Sequence, residues 1–320
     1  MFELKRSLNK LDSFLFQDDY VYNLAIFRIL FIGLVFTYTL FEIGNVNDFY
    51  GPDAVVSLTT LKARFQQPQL NLFHFLNESY TVTYLIYGLT LISLLMSLIG
   101  YKTSLFLTLS FIGISSLQMR NIWILSSADV LVRSVLFILL FSPCYRVISV
   151  DAYINRKDGT PYAKKATQWT WRLIQIQVSV VYLWTCWHKL KGETWFDGSA
   201  VYYATRLDTM KNVTIPFLMD NKVILALATW STLIIEFGLG FFVWFKETRK
   251  WFILAGIGLH LGIEVLMAIP FFEWLMIVLL TSFFTPREYV AFVHQLHQKW
   301  KSISFRLKAY KDSWRDYEAV

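Results

Sequence analysis

The stretch that decides the fold is SYTVTYLIYGLTLISLLMSLIGY, which runs from Ser79 to Tyr101. It contains no Asp, Glu, Lys or Arg. A helix rises about 1.5 Å per residue, so this stretch is long enough to cross a hydrocarbon core of roughly 30 Å. It therefore predicts a membrane-spanning helix.

The rest of the chain has the same apolar character. Of its 320 residues, 55% are hydrophobic and 18% aromatic, only 17% are charged, and the mean hydropathy is +0.44. One soluble core could not bury this much apolar surface, so lipid must cover the remainder. The composition favours an integral membrane protein and excludes a disordered chain, a collagen-like repeat and a disulfide scaffold.

Apolar stretches on both sides of the first one predict an all-α, polytopic transmembrane bundle of about eight spans. The predicted spans are Asn23–Gly44, Tyr80–Ile99, Thr103–Met119, Ala128–Ser142, Trp171–His188, Val223–Phe245, Trp251–Ile269 and Phe271–Phe284. The fourth and eighth spans are short. Pro270 marks either a tight turn or a kink in one long hairpin.

Basic residues set the predicted orientation. Segments on the amino-terminal side carry more than twice as many Lys and Arg as segments on the other side, which places both termini in the cytoplasm of a multi-pass cell-membrane protein. We assign the net charge of +7 and the pI near 9.2 to this topology and not to nucleic-acid binding. Cys144 and Cys186 fall at opposite sides of the membrane and are predicted not to form a disulfide.

Two domains are predicted. Residues 1–285 form the transmembrane helical domain, with an external cap between Asn45 and Tyr80. Residues 286–320 form a basic, amphipathic cytoplasmic tail that is predicted to lie against anionic membrane lipid. The aromatic residues of its distal part are Trp300, Phe305, Tyr310 and Trp314.

Polar residues inside the spans are candidate functional positions, because each is costly in lipid unless it is paired or faces a cavity. The fifth span carries them on one helical face, at Gln175, Ser179, Tyr182, Cys186 and Lys189. One interpretation is an outward-opening pocket with Lys189 at its base and Trp195 folded over it. The other is a helix-packing face from which Lys189 extends to the membrane surface.

The seventh span carries His260 and Glu264 four residues apart, on one face of the predicted helix. They form either a proton relay or a structural pair. Glu236, central in the sixth span, needs a basic partner on another helix or must be neutral. Asp129 and Arg133 form a predicted i,i+4 pair that we interpret as structural. The sequence has no His-x-x-x-His or Cys-x-x-Cys spacing, and no metal is predicted.

Several short motifs follow one another along successive spans. They are Arg120-Asn121, Asp129, Arg133, Trp171-Arg172-Leu173, Gln175-Ile176-Gln177, Tyr182, Lys189-Leu190, Trp195-Phe196-Asp197-Gly198, Glu236 and His260. In this order they resemble the horizontally transferred transmembrane domain family, over roughly Arg28 to Pro286. That family contains the membrane part of vitamin K-dependent gamma-glutamyl carboxylase and bacterial proteins, including the membrane component that matures a sporulation-delaying toxin.

The resemblance implies a carboxylase-like membrane enzyme, or a maturation factor, that acts on an exported peptide and uses a reduced, vitamin K-like quinone. It implies that Lys189 is the base that deprotonates the quinone, a role that needs a populated neutral lysine. With the polar positions above, the candidate catalytic residues are Lys189, His260 and Glu264. The candidate cofactor-binding residues are Tyr182, Trp195, Glu236 and Asn121.

Two departures separate this chain from the animal carboxylases. Ile122 stands where those enzymes have a histidine important for the quinone step, and a short basic tail replaces their large extracytoplasmic region. A bacterial relative resembling the toxin-maturation component fits at least as well.

Two other classes of function stay open. One is a non-catalytic membrane subunit that binds or escorts a secreted peptide with a small soluble or membrane partner subunit; the other is a transporter or proton channel built on Glu236, His260 and Glu264.

Overall fold

The structure is a computed structural model that describes residues 2–64, 71–76 and 79–299. Its helices are α1 (Phe2–Phe16), α2 (Tyr22–Phe41), α3 (Val46–Tyr50), α4 (Leu58–Arg64), α5 (Tyr80–Ile99), α6 (Thr103–Arg120), α7 (Ser127–Leu140), α8 (Val150–Lys157), α9 (Trp169–Lys189), α10 (Glu193–Phe196), α11 (Ala200–Ala204), α12 (Pro216–Met219), α13 (Lys222–Gly240), α14 (Lys246–Leu266), α15 (Phe272–Leu280) and α16 (Pro286–Lys299). Strands β1 (Asp18–Tyr20) and β2 (Lys165–Thr167) form one small antiparallel ribbon, which the sequence did not predict. The predicted all-α fold class is confirmed.

Each of the eight predicted spans coincides with one helix, namely α2, α5, α6, α7, α9, α13, α14 or α15. Three segments, Tyr22–Tyr50, Tyr80–Ile99 and Lys222–Gly240, are individually long and apolar enough to cross a membrane. Phe272–Phe283 and Pro286–Lys299 meet the same criteria only as a pair, and they are bent by 104°. The described chain is therefore a helical membrane bundle.

Local chemistry fixes the ends of the helix that decides the fold. The Ser79 hydroxyl accepts a hydrogen bond from the amide of Val82 (3.2 Å) and so caps the start of α5. Gly100, with φ of +74°, ends the helix in a left-handed conformation that favours glycine. The next helix begins on a carboxylate, because Asp151 of α8 accepts bonds from the amides of Lys102 and Thr103, both at 2.8 Å.

The connection between α14 and α15 is a tight turn, which decides between the two readings of Pro270. The amide of Asn212 donates to the carbonyl of Leu266 (3.1 Å), and the amide of Ala268 donates to that of Met210 (2.7 Å). Phe271 has φ of +71°, outside the region that suits a non-glycine residue. The loop around residue 211 therefore clamps this turn and starts α15 in a new direction.

The predicted cap is present as α3, α4 and a 3-10 turn at Leu72–His74, packed on α5 and α6. Arg120, fully buried, donates to the carbonyls of Val56 (2.8 Å) and Gly51 (2.7 Å) and ties the cap to the bundle. Asp129 bonds the amide of Ser126 (2.7 Å) at the start of α7.

The same carboxylate accepts a bond from Gln118 Nε2 (3.0 Å). Arg133 lies within electrostatic range of Asp129, as predicted, and the carboxylate also serves as a helix cap. Its structural interpretation agrees with these contacts.

Cys144 and Cys186 are both buried and free, as predicted. The described part of the predicted tail is the helix α16. Trp300, Phe305, Tyr310 and Trp314 lie outside the described residues.

Candidate functional site

The polar face of α9 is turned into the bundle. Its buried members are Gln175, Ser179, Tyr182 and Cys186, and the side chain of Lys189 is 26% exposed. Gln175 Nε2 donates to the carbonyl of Ser282 (2.7 Å), and Trp244 Nε1 donates to the hydroxyl of Ser179 (2.8 Å). Spacing by three and four residues thus gives one inward face, and its polar groups are satisfied by other elements.

Lys189, at the end of this face, forms an ion pair with Glu236 of α13, in which Nζ donates to Oε1. The Lys189 ammonium also lies 4.8 Å from the centre of the Trp195 ring. Glu236 is buried, and its second oxygen, Oε2, has no hydrogen-bond partner in the described part of the chain. The predicted need of Glu236 for a basic partner on another helix is met by Lys189.

The α13 helix presents Glu236 on its own buried polar face, with Thr229 and Thr232 three and four residues apart. The Thr229 hydroxyl donates to the carbonyl of Gly198 (3.0 Å) and accepts from the amide of Val201 (3.1 Å). This face therefore holds both the carboxylate and the turn that follows α9.

The turn Trp195-Phe196-Asp197-Gly198 positions the indole over Lys189. The Asp197 carboxylate accepts bonds from the Ser199 amide (2.8 Å) and hydroxyl (2.5 Å), and these bonds hold the pKa of Asp197 below its usual value. Gly198 has φ of +81° and packs so closely that an added Cβ would lie 2.9 Å from that of Ala226. The motif is thus a rigid turn docked on α13.

A second polar chain lies deeper in the bundle. The Tyr182 hydroxyl is 2.7 Å from Nε2 of His260, and Nδ1 of His260 contacts the Glu273 carboxylate in a hydrogen bond. All three side chains are buried. The order carboxylate, imidazole, hydroxyl is the one in which a carboxylate fixes the histidine tautomer and the imidazole exchanges a proton with the hydroxyl.

The predicted pairing of His260 with Glu264 is wrong. Glu264 is half-buried and accepts a hydrogen bond from Trp274 Nε1 (3.0 Å), while its backbone carbonyl accepts one from Asn212 (3.3 Å). Because α14 and α15 are joined by the tight turn, Glu273 reaches His260 and takes the place assigned to Glu264.

Glu273 is the functional candidate that the sequence analysis missed. It is the one carboxylate in the predicted eighth span, so the cost of an unpaired charge in lipid was a signal for a buried partner. The partner was not identifiable, because its position depends on the turn at Pro270 and Phe271.

The two polar chains act as one cluster. Tyr182 is buried within electrostatic range of both Glu236 and Glu273. The cluster therefore joins a lysine–carboxylate pair, a tyrosine and a histidine–carboxylate pair on four helices, α9, α13, α14 and α15. Such a set can take up, hold and pass on a proton.

The model of the HTTM domain matches residues 16–287, which is most of the chain. The chain belongs to the HTTM domain family. This is the family of the membrane domain of vitamin K-dependent carboxylase and its bacterial relatives. The matched range includes every residue of the cluster described above. The predicted family is confirmed, and so is membrane localisation at the level of a membrane domain.

The chain is also similar to a Bacillus subtilis (strain 168) protein named "Uncharacterized protein YitO". It is 27% identical over 122 residues, an alignment that covers 36% of this chain and 38% of that protein. The chain thus aligns with less than half of that relative. No solved structure matches the chain.

Asn121, a predicted cofactor-binding residue in the HTTM region, is not brought to the cluster. It is buried at the end of α6, and its Nδ2 donates to the carbonyl of Phe49 in the cap (3.4 Å). Asn121 and Arg120 therefore both connect the bundle to the cap. The structure unites Lys189, Tyr182, Trp195, Glu236 and His260, and separates Asn121 and Glu264 from them.

A cavity of about 320 Å³ lies beside the Trp195 turn, lined by Asp197, Gly198, Ser199 and Tyr202, among others, but not by Lys189. It is therefore not the predicted pocket with Lys189 at its base. Trp195 lies over the Lys189 ammonium as expected, and the lysine side chain remains 26% exposed. In the described residues no group of three His, Cys, Asp or Glu is placed to hold a metal ion.

Proposed function

We propose that this HTTM protein is a carboxylase-like integral membrane enzyme, or maturation factor, that modifies an exported peptide at the cluster of Lys189, Glu236, Tyr182, His260 and Glu273. Eight helices cross the cell membrane with both termini in the cytoplasm. Membership of the HTTM family and the ion pair between the half-buried Lys189 and the buried Glu236 support this proposal. The pair is the observation that carries it.

The pair gives Lys189 a route to its neutral form. Transfer of one proton from Nζ to Oε1 of Glu236 converts an ammonium and a carboxylate into an amine and a carboxylic acid. Burial favours this transfer, because a low dielectric disfavours charged forms. The Trp195 ring opposes it by stabilising the ammonium.

Tyr182, His260 and Glu273 then remove the proton from the reaction centre. Glu273 fixes His260 with Nε2 facing Tyr182, so the tyrosine hydroxyl and the imidazole exchange a proton along their 2.7 Å contact. A relay of this kind resets Glu236 to its charged form after each cycle.

The residues present fit a reduced quinone. Glu236 Oε2 is a buried acceptor without a partner in the described residues, a match for a quinol hydroxyl, and Trp195 offers an aromatic face. When bound, the quinol would react with molecular oxygen, and this oxidation would supply the strong base that removes a carbon-bound proton from the peptide, so that carbon dioxide can add at that carbon. Glu236 and Trp195 would hold it, and Lys189 would take its hydroxyl proton.

Mass spectrometry of secreted peptides tests the proposal. Cells with the parent protein should export a peptide carrying an added carboxyl group, or another defined modification. Cells with Lys189→Ala should export only the unmodified peptide. Lys191→Ala is the matched control, because Lys191 is exposed against Trp187 (5.1 Å) and lies outside the cluster.

A peptide escort would give a different result. Cells with the parent protein and cells with Lys189→Ala would both secrete one unmodified peptide, and cells that lack the protein would not secrete it. An unchanged set of secreted peptides in cells with and without the protein would contradict both roles.

A further inference from the structure

A second, small cavity lies at the amino-terminal end of α9. Its volume is about 100 Å³, and Trp171, Arg172 and Arg249 are among its lining residues. Arg172 precedes Lys189 on the same helix by roughly 26 Å at about 1.5 Å per residue. The cavity is therefore separate from the cluster proposed to be catalytic.

Two guanidinium groups line this cavity. Arg172 donates from Nε to the carbonyl of Phe14 (3.2 Å) and from Nη1 to Gln175 (2.9 Å), and Arg249 donates from Nε to the carbonyl of Val243 (3.3 Å). Their other nitrogens make no hydrogen bond and no ion pair within the described residues. Two such groups close together repel each other unless an anion lies between them.

A buried indole supplies an independent observation. Trp171 also lines the cavity and is only 1% exposed, yet its Nε1–H has no hydrogen-bond partner in the part of the chain that is described. Phe27 and Tyr289 pack edge-on against its ring, at centroid distances of 5.5 and 5.9 Å, and hold it in place. A buried donor without an acceptor costs about 1–3 kcal/mol, and an acceptor from a ligand would remove this cost.

The start of α9 adds to the positive potential. Gln168, which precedes α9, lines the cavity, and no side chain caps this helix start. A helix amino terminus favours an anion, because its first amides are unpaired and the helix dipole is positive there. The start of α16 is occupied by a carboxylate, because Glu288 accepts bonds from the Thr285 amide (2.7 Å) and hydroxyl (2.8 Å). Asp19 is the one carboxylate in the lining, so the two arginines leave a net positive charge.

We infer that this cavity binds a phosphate group, carried either by an anionic phospholipid or by free inorganic phosphate. The planar forks of Arg172 and Arg249 match the oxygens of a phosphate, and the Trp171 N–H gives a further donor. A volume of about 100 Å³ is enough for one such group, since a water molecule takes about 30 Å³ in the liquid.

Binding is measured on the purified full chain by native mass spectrometry. One arm uses phosphatidylcholine nanodiscs with or without phosphatidylglycerol, and the other uses detergent with inorganic phosphate in place of chloride. Arg249→Gln is the main variant, because the Arg249 side chain makes one hydrogen bond in the described structure and its loss should leave the fold intact. Arg156→Gln is the matched control, since Arg156 is exposed on α8 and away from the cavity.

We expect the parent and Arg156→Gln to retain a bound phosphate group, and Arg249→Gln to bind it about tenfold more weakly. Trp171→Phe should weaken it by about threefold, because one donor is lost. Retention of phosphatidylglycerol identifies a lipid headgroup, and retention of inorganic phosphate alone identifies the free ion.

Three outcomes would overturn the inference. The parent and Arg249→Gln could bind the phosphate group equally well, Arg249→Gln and Arg156→Gln could lose binding equally, or no phosphate group could bind in either arm. If Arg249→Gln does not fold, Arg249→Lys keeps the charge without the fork. It should then bind about threefold more weakly than the parent, and parent-like binding would count against the site.

Discussion

Glu273 decides the state of His260, because its carboxylate holds Nδ1 and leaves Nε2 to face Tyr182. Glu273→Gln keeps the shape and an acceptor but removes the charge that stabilises a protonated imidazole. We expect peptide modification to slow by about a hundredfold, the usual contribution of a positioned acid or base. The initial rate in membranes with equal amounts of each variant measures this.

Glu264→Gln is the matched control at the same scale. It removes a carboxylate four residues from His260 that bonds Trp274 instead, so the rate should stay within about twofold of the parent. A low modification rate in Glu264→Gln together with a parent-like rate in Glu273→Gln would contradict this assignment. It would support the pairing of His260 with Glu264 that the sequence suggested.

At the scale of elements, the turn after α9 holds Trp195 over Lys189 and is fixed by Gly198. Gly198→Ala places a Cβ 2.9 Å from that of Ala226 in a backbone with φ of +81°. We expect a loss of stability of about 1–2 kcal/mol. The modification rate should also fall, because Trp195, which is proposed to hold the quinol, moves away from the site. Thermal unfolding in detergent measures the first effect.

Gly258→Ala is the control for this turn, because an added Cβ at Gly258 meets no atom within 4 Å and the residue lies inside α14. Its unfolding midpoint should equal or exceed that of the parent. A similar loss in both variants would show that Gly198 has no special role.

Helical periodicity made the polar face of α9 predictable, because five residues at spacings of three and four can share one inward side only on a helix. The lone Glu236 likewise required a basic partner. The partner of His260 was not predictable. Glu264 is the neighbour of His260 along the helix, whereas Glu273 comes close to His260 only because of the turn that the loop around residue 211 clamps. Asn121 was misassigned because its side-chain amide bonds the cap, and the position of the cap depends on long-range packing.

At the scale of the whole molecule, the proposed eight crossings place the two ends of α9 on opposite sides of the membrane. Arg156→Cys should react with a membrane-impermeant maleimide only after permeabilisation, and Asp208→Cys should react in intact cells. Asp208 is 93% exposed, and the native Cys144 and Cys186 are buried, so background labelling should be low. Labelling of both variants in intact cells would contradict the topology.

The central claim is that Lys189 works by losing a proton, and the arginine variant tests it most directly. Arginine keeps the positive charge beside Glu236 but does not deprotonate in the working range. If Lys189 is the base, secreted peptide from cells with Lys189→Arg should carry no more modification than peptide from cells with Lys189→Ala, with the variant present in the membrane at the parent level. Full modification by Lys189→Arg would show that the charge alone is sufficient and would contradict the account.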